Sequence, residues 1–294
     1  MKCISSLTAA LLSILLSATS GRSENNQVMK THGYAPVNGL DMYYEIHGTG
    51  DPLVYIPPAF GHAGMDEFPS LAEKHSVITM DLQGHGRTAD IPERPLTLEQ
   101  HARDVVALLK HLEISKADFF GQSYGGAIAI LIAIHHPERV RRVATYGSTF
   151  GPPEIAHNLE MLRYDETPTP ESKAFQFKRE SYRRVAPDPE YWPKIWEKVA
   201  SIQWNGFTIE ELASIKAPIL IAVGDHDFVR IEHAVESFRR IPNAELAVIP
   251  DASHFAPSSE PEKVIPIIKK FMEKPDKRAP LATAGMGYHP GETR

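Results

Sequence analysis

Apolar positions along this chain switch repeatedly between two periods. Leu40-Asp41-Met42-Tyr43-Tyr44-Glu45-Ile46-His47 alternates with period two, which predicts a half-buried edge strand. Residues 53–56 form a short apolar run ending at Pro57-Pro58, and residues 76–80 another that breaks at Asp81. Both predict buried strands. From 98 to 112 the period changes: Ala102, Val105, Val106, Leu109 and Leu112 recur at helical spacing. Residues 116–120 return to strand character, 127–134 are apolar throughout, and 140–146 read as a strand again. The strand pattern resumes at 217–223 and 244–249, and an amphipathic helix over 261–272 follows. Strands alternating with helices predict βαβ units, hence an α/β fold whose mostly parallel sheet carries helices on both faces.

The alternation fails between 147 and 216. This stretch is rich in proline, charge and aromatics, and holds all three tryptophans of the chain: Trp192, Trp196 and Trp204. It is expected to form a helical lid over the C-terminal edge of the sheet, where open α/β sheets place their ligand sites. Most of its aromatics should pin the lid to the body, leaving two or three to touch substrate. The domain plan is therefore a core of 34–146 and 217–273 with a lid of 147–216. Residues 24–33 read as a polar, flexible lead-in, and the Gly/Pro-rich 274–294 as a disordered tail.

Composition narrows the function. The chain has 294 residues and a formal charge of −6, which gives no electrostatic reason to bind nucleic acid. The short basic clusters Arg139-Val140-Arg141-Arg142 and Arg183-Arg184 read as solvated surface. Among 14 histidines no pair has the helical zinc spacing with an intervening glutamate, so no metal is expected. His62 and His135-His136 are assigned to loops or surface. Residues 1–21 have a basic start, an apolar stretch of 4–18 and small residues at Ala18-Thr19-Ser20-Gly21. That is a signal-peptide pattern and predicts a secreted or periplasmic protein. The apolar stretch is too short to span a membrane. Cys3, the one cysteine, would leave with it. Nothing in the sequence sets the oligomeric state.

The candidate chemistry centres on Gly121-Gln122-Ser123-Tyr124-Gly125-Gly126, between a predicted strand and a predicted helix. A sharp strand-to-helix turn holds its serine strained and lifts the side chain clear of the sheet. The helix N-terminus behind it favours developing negative charge. The alternative role for Ser123 is a helix N-cap. A serine nucleophile needs a base, and the base a carboxylate, in chain order serine, acid, histidine. His254, after the strand ending at 249, is the candidate base. Asp225, Asp227 and Asp251 compete as the acid. Asp251 would have to fold back sharply, and Asp225 suits a turn, so loop reach favours Asp227, with Asp225 next.

Together these segments resemble the α/β-hydrolase superfamily, single-domain esterase, lactonase and haloperoxidase-like members in particular, over residues 34–273. The matching motifs are Asp81-Leu82-Gln83-Gly84-His85-Gly86-Arg87, the elbow 121–126, Gly224-Asp225-His226-Asp227 and Pro250-Asp251-Ala252-Ser253-His254-Phe255. The resemblance implies an eight-stranded type of sheet, a lid inserted after the sixth strand, and a Ser123–His254–Asp227 triad. It implies no cofactor and a small-molecule ester or lactone as substrate. One departure stands out: the family has His-Gly where this chain has Pro57-Pro58. Proline has no N–H, so the oxyanion donors fall to Ala59, with Phe60 as the fallback, and to Tyr124 after the nucleophile. A cofactor-free perhydrolase or haloperoxidase, and a non-catalytic ligand binder, remain alternatives on the same residues.

Overall fold

Alternate residues of single strands feed two different cores. In the computed structural model, which describes residues 30–64, 68–158, 169, 171 and 176–275, Val54 and Ile56 join one apolar cluster while Leu53 and Tyr55 join another. The first half of the chain gives β1 (Lys30–Val37), β2 (Leu40–His47), β3 (Asp51–Ile56), β4 (His75–Met80), α1 (Leu98–His111), β5 (Ala117–Gln122), α2 (Tyr124–His135) and β6 (Val140–Tyr146). An insertion follows with α3 (Pro153–Ala156), α4 (Gln176–Val185), α5 (Trp192–Ala200) and α6 (Ile209–Ser214). The chain then returns through β7 (Ile219–His226), α7 (Ile231–Arg240), β8 (Ala244–Ser253), α8 (Ala256–Ser259) and α9 (Pro261–Met272).

Among the described residues the strands form one eight-stranded sheet in the order β1-β2-β4-β3-β5-β6-β7-β8. β2 is antiparallel to both neighbours, and the six strands from β4 to β8 are parallel. One face is covered by α1 and α2, with Val105, Leu108, Ile128 and Ile132 fully buried. The other is covered by α9 through Val264 and Ile268. α2 is apolar all round because it is enclosed on every side. Thr97 caps α1, its hydroxyl accepting from Gln100 N at 3.0 Å.

The edge strand is β1 rather than β2. Residues 30–33, read from sequence as a lead-in, begin this strand, which pairs with β2 from Lys30 opposite His47 to Val37 opposite Leu40. β1 buries few apolar side chains, Ala35 and Val37 among them, and so shows little alternation; its ladder is main-chain bonding, and Pro36 is tolerated at an edge. β8 also runs past residue 249 to Ser253, because a register shift after Gly224 lets His226 pair with Ser253. The expected signal peptide, and the tail from 276 onward, lie outside the described residues. No described helix is long and apolar enough to cross a membrane.

Chain order reverses between β3 and β5: β4 lies on one side of β3 and β5 on the other. That switch point opens a crevice at the C-terminal ends of the strands. Ser123 and the 57–61 loop flank it.

Candidate active site

Gly121 and Gly125 let the elbow close. A Cβ on Gly121 would stand 2.4 Å from the Gly125 carbonyl oxygen, and one on Gly125 2.1 Å from that of Ile56. Between them Ser123 takes φ 52 and ψ −118, a left-handed conformation that costs on the order of 1–3 kcal/mol outside glycine. Its N–H donates to Tyr146 O at 2.8 Å, while its hydroxyl makes no cap on α2. The capping role considered for Ser123 is therefore absent, and the residue is half-buried at the crevice.

His254 arrives from β8, three strands away in the sheet. Gln122, the residue before Ser123, donates through Nε2 to the main-chain carbonyl of His254 at 3.4 Å. His254 Nδ1 donates to Asp227 Oδ1 at 2.8 Å. The same oxygen accepts from Val229 N at 2.9 Å. An ionised carboxylate only accepts, so Nδ1 carries the proton and Nε2 keeps its lone pair. Both side chains are buried, His254 at 7% and Asp227 at 5% exposure. Asp225 instead turns outward and accepts from Ala252 N at 3.3 Å. Asp251 is exposed and pairs with Lys263 at 2.9 Å, which with His226 holds its carboxyl below the usual carboxylate range.

Two residues at this pair were not singled out from sequence. Gly147, where the strand pattern stopped, has φ 57, and a Cβ there would stand 2.8 Å from both Asp227 Oδ2 and His254 Nδ1. Phe228 lies on the His254 ring with centroids 4.0 Å apart. The next ring is His157, edge-on to Phe228 at 5.1 Å; burial, and after it the nearness of His254, pushes its pKa down. Only the end of a strand, for Gly147, and adjacency to Asp227, for Phe228, signalled these residues.

The 57–61 segment forms a tight turn. Gly61 N donates to Pro58 O at 2.8 Å, which puts Ala59 and Phe60 at the two central places, with Phe60 at φ 60. The turn's own hydrogen bond uses the N–H of Gly61, and the two prolines have none to offer. Across the crevice, Tyr124 occupies the first position of α2, where an N–H has no intrahelical partner. Its side chain reaches α1, where the hydroxyl hydrogen-bonds His101 Nδ1 at 2.9 Å.

The inserted helices seat on this edge. Trp192, Ile195 and Trp196 of α5 are buried with Leu96 and Tyr182. Lys198 bonds Asp90 at 2.9 and 2.7 Å, and Tyr191 donates to the same carboxylate at 2.9 Å. His62, in the loop as expected, accepts from Ser181 on α4 at 3.0 Å. Phe150 and Phe207 are buried against each other, so these aromatics do pin the insertion. Phe177, by contrast, is half exposed and meets the exposed Phe255 edge-on at 6.1 Å, beside His254. Tyr164 and Phe175 lie outside the described residues. Among the described residues no group of three or more His, Cys, Asp or Glu is placed to hold a metal ion.

Comparison with known proteins agrees with this architecture. The model of the alpha/beta hydrolase family matches residues 46–267. The 3-oxoadipate enol-lactonase 2 of Acinetobacter baylyi is 26% identical over 216 residues, 69% of this chain and 80% of that protein. A 2-hydroxymuconate semialdehyde hydrolase of Pseudomonas putida is 26% identical over 260 residues, 79% of this chain and 86% of its own. A shorter match, 38% identical over 111 residues, covers 37% of this chain and 41% of a protein described as a carbamate hydrolase of Azorhizobium caulinodans. The crystal structure of an enol-lactonase from Burkholderia xenovorans superposes with a TM-score of 0.65 at 23% identity, over 82% of this chain and all of the other.

Proposed function

Because the chain belongs to the alpha/beta hydrolase family, we propose that it is a serine hydrolase that cleaves a carboxylic ester or lactone through an acyl-enzyme. The observation that carries this reading is the buried His254–Asp227 pair, tied through Gln122 to the strained elbow that presents Ser123. Ser123 Oγ attacks the carbonyl carbon while His254 Nε2 takes its proton. Asp227 keeps the imidazole in the needed tautomer and faces the positive charge that forms on it. The negative charge on the carbonyl oxygen is met by the N–H of Tyr124 and that of Ala59, with Phe60 N–H as the alternative donor. His254 then protonates the leaving alkoxide, and a water activated by the same nitrogen releases the acid.

The helices between β6 and β7 act as a lid in this reading. Phe177 and Phe255, exposed across from one another beside His254, give its mouth an apolar lining suited to an apolar or ring-bearing group. Residues 1–21 serve as a signal peptide, and the mature chain works in the periplasm or outside the cell; N-terminal sequencing of the exported protein would reveal a start near residue 21, whereas an intact Met1 would reject this.

A panel of p-nitrophenyl esters and lactones tests the chemistry, run alongside a carbamate and a vinylogous diketone to separate bond types. Turnover of an ester or lactone that Ser123→Ala abolishes supports the reading. Turnover confined to the carbamate or the diketone moves the substrate class, and turnover that survives in Ser123→Ala sinks the mechanism.

A further inference from the structure

Five rings connect the inserted helix α5 to the nucleophile elbow in an unbroken stack. Trp196 lies flat on Phe60, with centroids 5.2 Å apart and planes 9° from parallel. Phe60 stacks on His85 at 6.1 Å. His85 meets His101 edge-on at 6.1 Å, and His101 meets Tyr124 edge-on at 5.6 Å. Each ring comes from a different segment: α5, the turn after β3, the loop after β4, α1 and the start of α2. Two of these rings belong to the segments that carry the oxyanion donors of the serine-hydrolase reading, on which this inference rests.

We propose that this ring stack is the positioning device of the oxyanion site. It sets the spacing between the N–H groups of the 58–61 turn and the N–H of Tyr124. Phe60, His85 and His101 are positioning residues, and Trp196 ties them to the insertion.

Three observations support it. Phenylalanine at φ 60 is an outlier that persists only where its surroundings over-determine it. Here Trp192, 5.0 Å away, completes the socket with Trp196 and His85. A second tie runs parallel to the first, since His62 of the same loop accepts from Ser181 on α4 at 3.0 Å. Finally, the third and fourth rings are imidazoles, and both are buried. His85 Nδ1 donates to Gln83 O at 2.9 Å and His101 Nδ1 hydrogen-bonds the Tyr124 hydroxyl, yet Nε2 of each is buried with no partner among the described residues. Phenyl rings would fill the same volume without that cost. What imidazole adds at His101 is the hydrogen-bond partner that fixes the Tyr124 side chain, and with it the first residue of α2. Pro57-Pro58 makes such an anchor matter, because the turn must present its donor beyond two residues that have none.

The test uses the full chain and p-nitrophenyl acetate, a small ester. Trp196→Leu, Phe60→Leu, His101→Phe and the double variant Trp196→Leu/His101→Phe are compared for thermal unfolding, fluorophosphonate active-site titre, kcat, KM and pH profile. Each single variant should lower kcat per titrated site by roughly 10- to 100-fold, below the ~10²–10³ that losing a whole donor costs. KM and the pH midpoint should hold, and the conservative Trp196→Phe should recover most of the rate. The double variant should lose less than the product of the singles, the mark of coupled positions. Where Phe60→Leu does not fold, Trp196→Leu and His101→Phe carry the test. Unchanged kcat per site in folded variants, or losses that multiply independently, would overturn the proposal. Absent wild-type turnover counts against the hydrolase reading, whereas intact wild-type turnover with insensitive variants counts against the ring stack alone.

Discussion

The residues that matter here act across strands, and that decides which were legible beforehand. Ser123 and His254 announced themselves through motif and order: a glycine-flanked serine between a strand and a helix, and a histidine following a strand. Loop reach favours Asp227 over Asp225, and the structure puts Asp227 on His254 Nδ1 at 2.8 Å and turns Asp225 outward. Asp227→Asn should therefore lower kcat about 10⁴-fold through the wrong tautomer, while Asp225→Asn leaves turnover unchanged; the reverse ranking would reassign the acid. Gly147 was not legible, because its role is a lack of side chain beside groups 80 and more positions later in the chain. Gly147→Ala puts a methyl 2.8 Å from both Asp227 Oδ2 and His254 Nδ1 and strains a backbone at φ 57. The expected result is a folded protein with kcat down roughly 10²-fold, as for other displacements of about 1 Å. An unaltered kcat would mean that the pair tolerates displacement.

At the scale of elements, strands with a buried face were readable and the rest were not. β3 and β7 carry apolar runs because parallel strands are covered on both sides. β1 carries no such pattern, since an edge strand is held through its main chain. The insertion was located by failure of the pattern and its aromatic content, but its seating depends on pairings such as Lys198–Asp90, 108 residues apart, that no local signal reveals. Asp90 is desolvated, which alone would raise its pKa, yet bonds from Gln83, Lys198 and Tyr191 hold it below the usual carboxylate range. Lys198→Met removes the cation from this cluster and should cost on the order of 2–3 kcal/mol. The check is limited proteolysis: residues 147–216 should be cut faster than in the wild type while the sheet survives. Equal protection would show that the aromatic seat of α5 suffices without the ion pair.

The whole molecule combines a sheet that brings distant loops to one edge with an interior that holds neutral histidines. Burial pushes the pKa of His85 and His101 below the ordinary histidine value, and that of His233 to about 4. In the unfolded chain these groups take up protons below about pH 6.5, while the folded protein refuses them. Stability is thus complete above that pH and falls as pH drops through 6.5 toward the lower folded values. Burial raises the pKa of Asp81, Asp104 and Asp118, so at lower pH they take up protons in the folded state and oppose the trend. Between pH 7.5 and 5.5 the histidines should dominate, and Tm should fall by on the order of 5–10 °C. A flat profile would mean that these rings accept protons in place. The reaction starts at one oxygen atom, Ser123 Oγ, so the decisive experiment treats the folded protein with a fluorophosphonate and maps the adduct by peptide mass spectrometry. The expected result is stoichiometric modification of Ser123, slowed several orders of magnitude in His254→Ala. A folded protein that stays unmodified, or that carries the adduct on another serine, would contradict it.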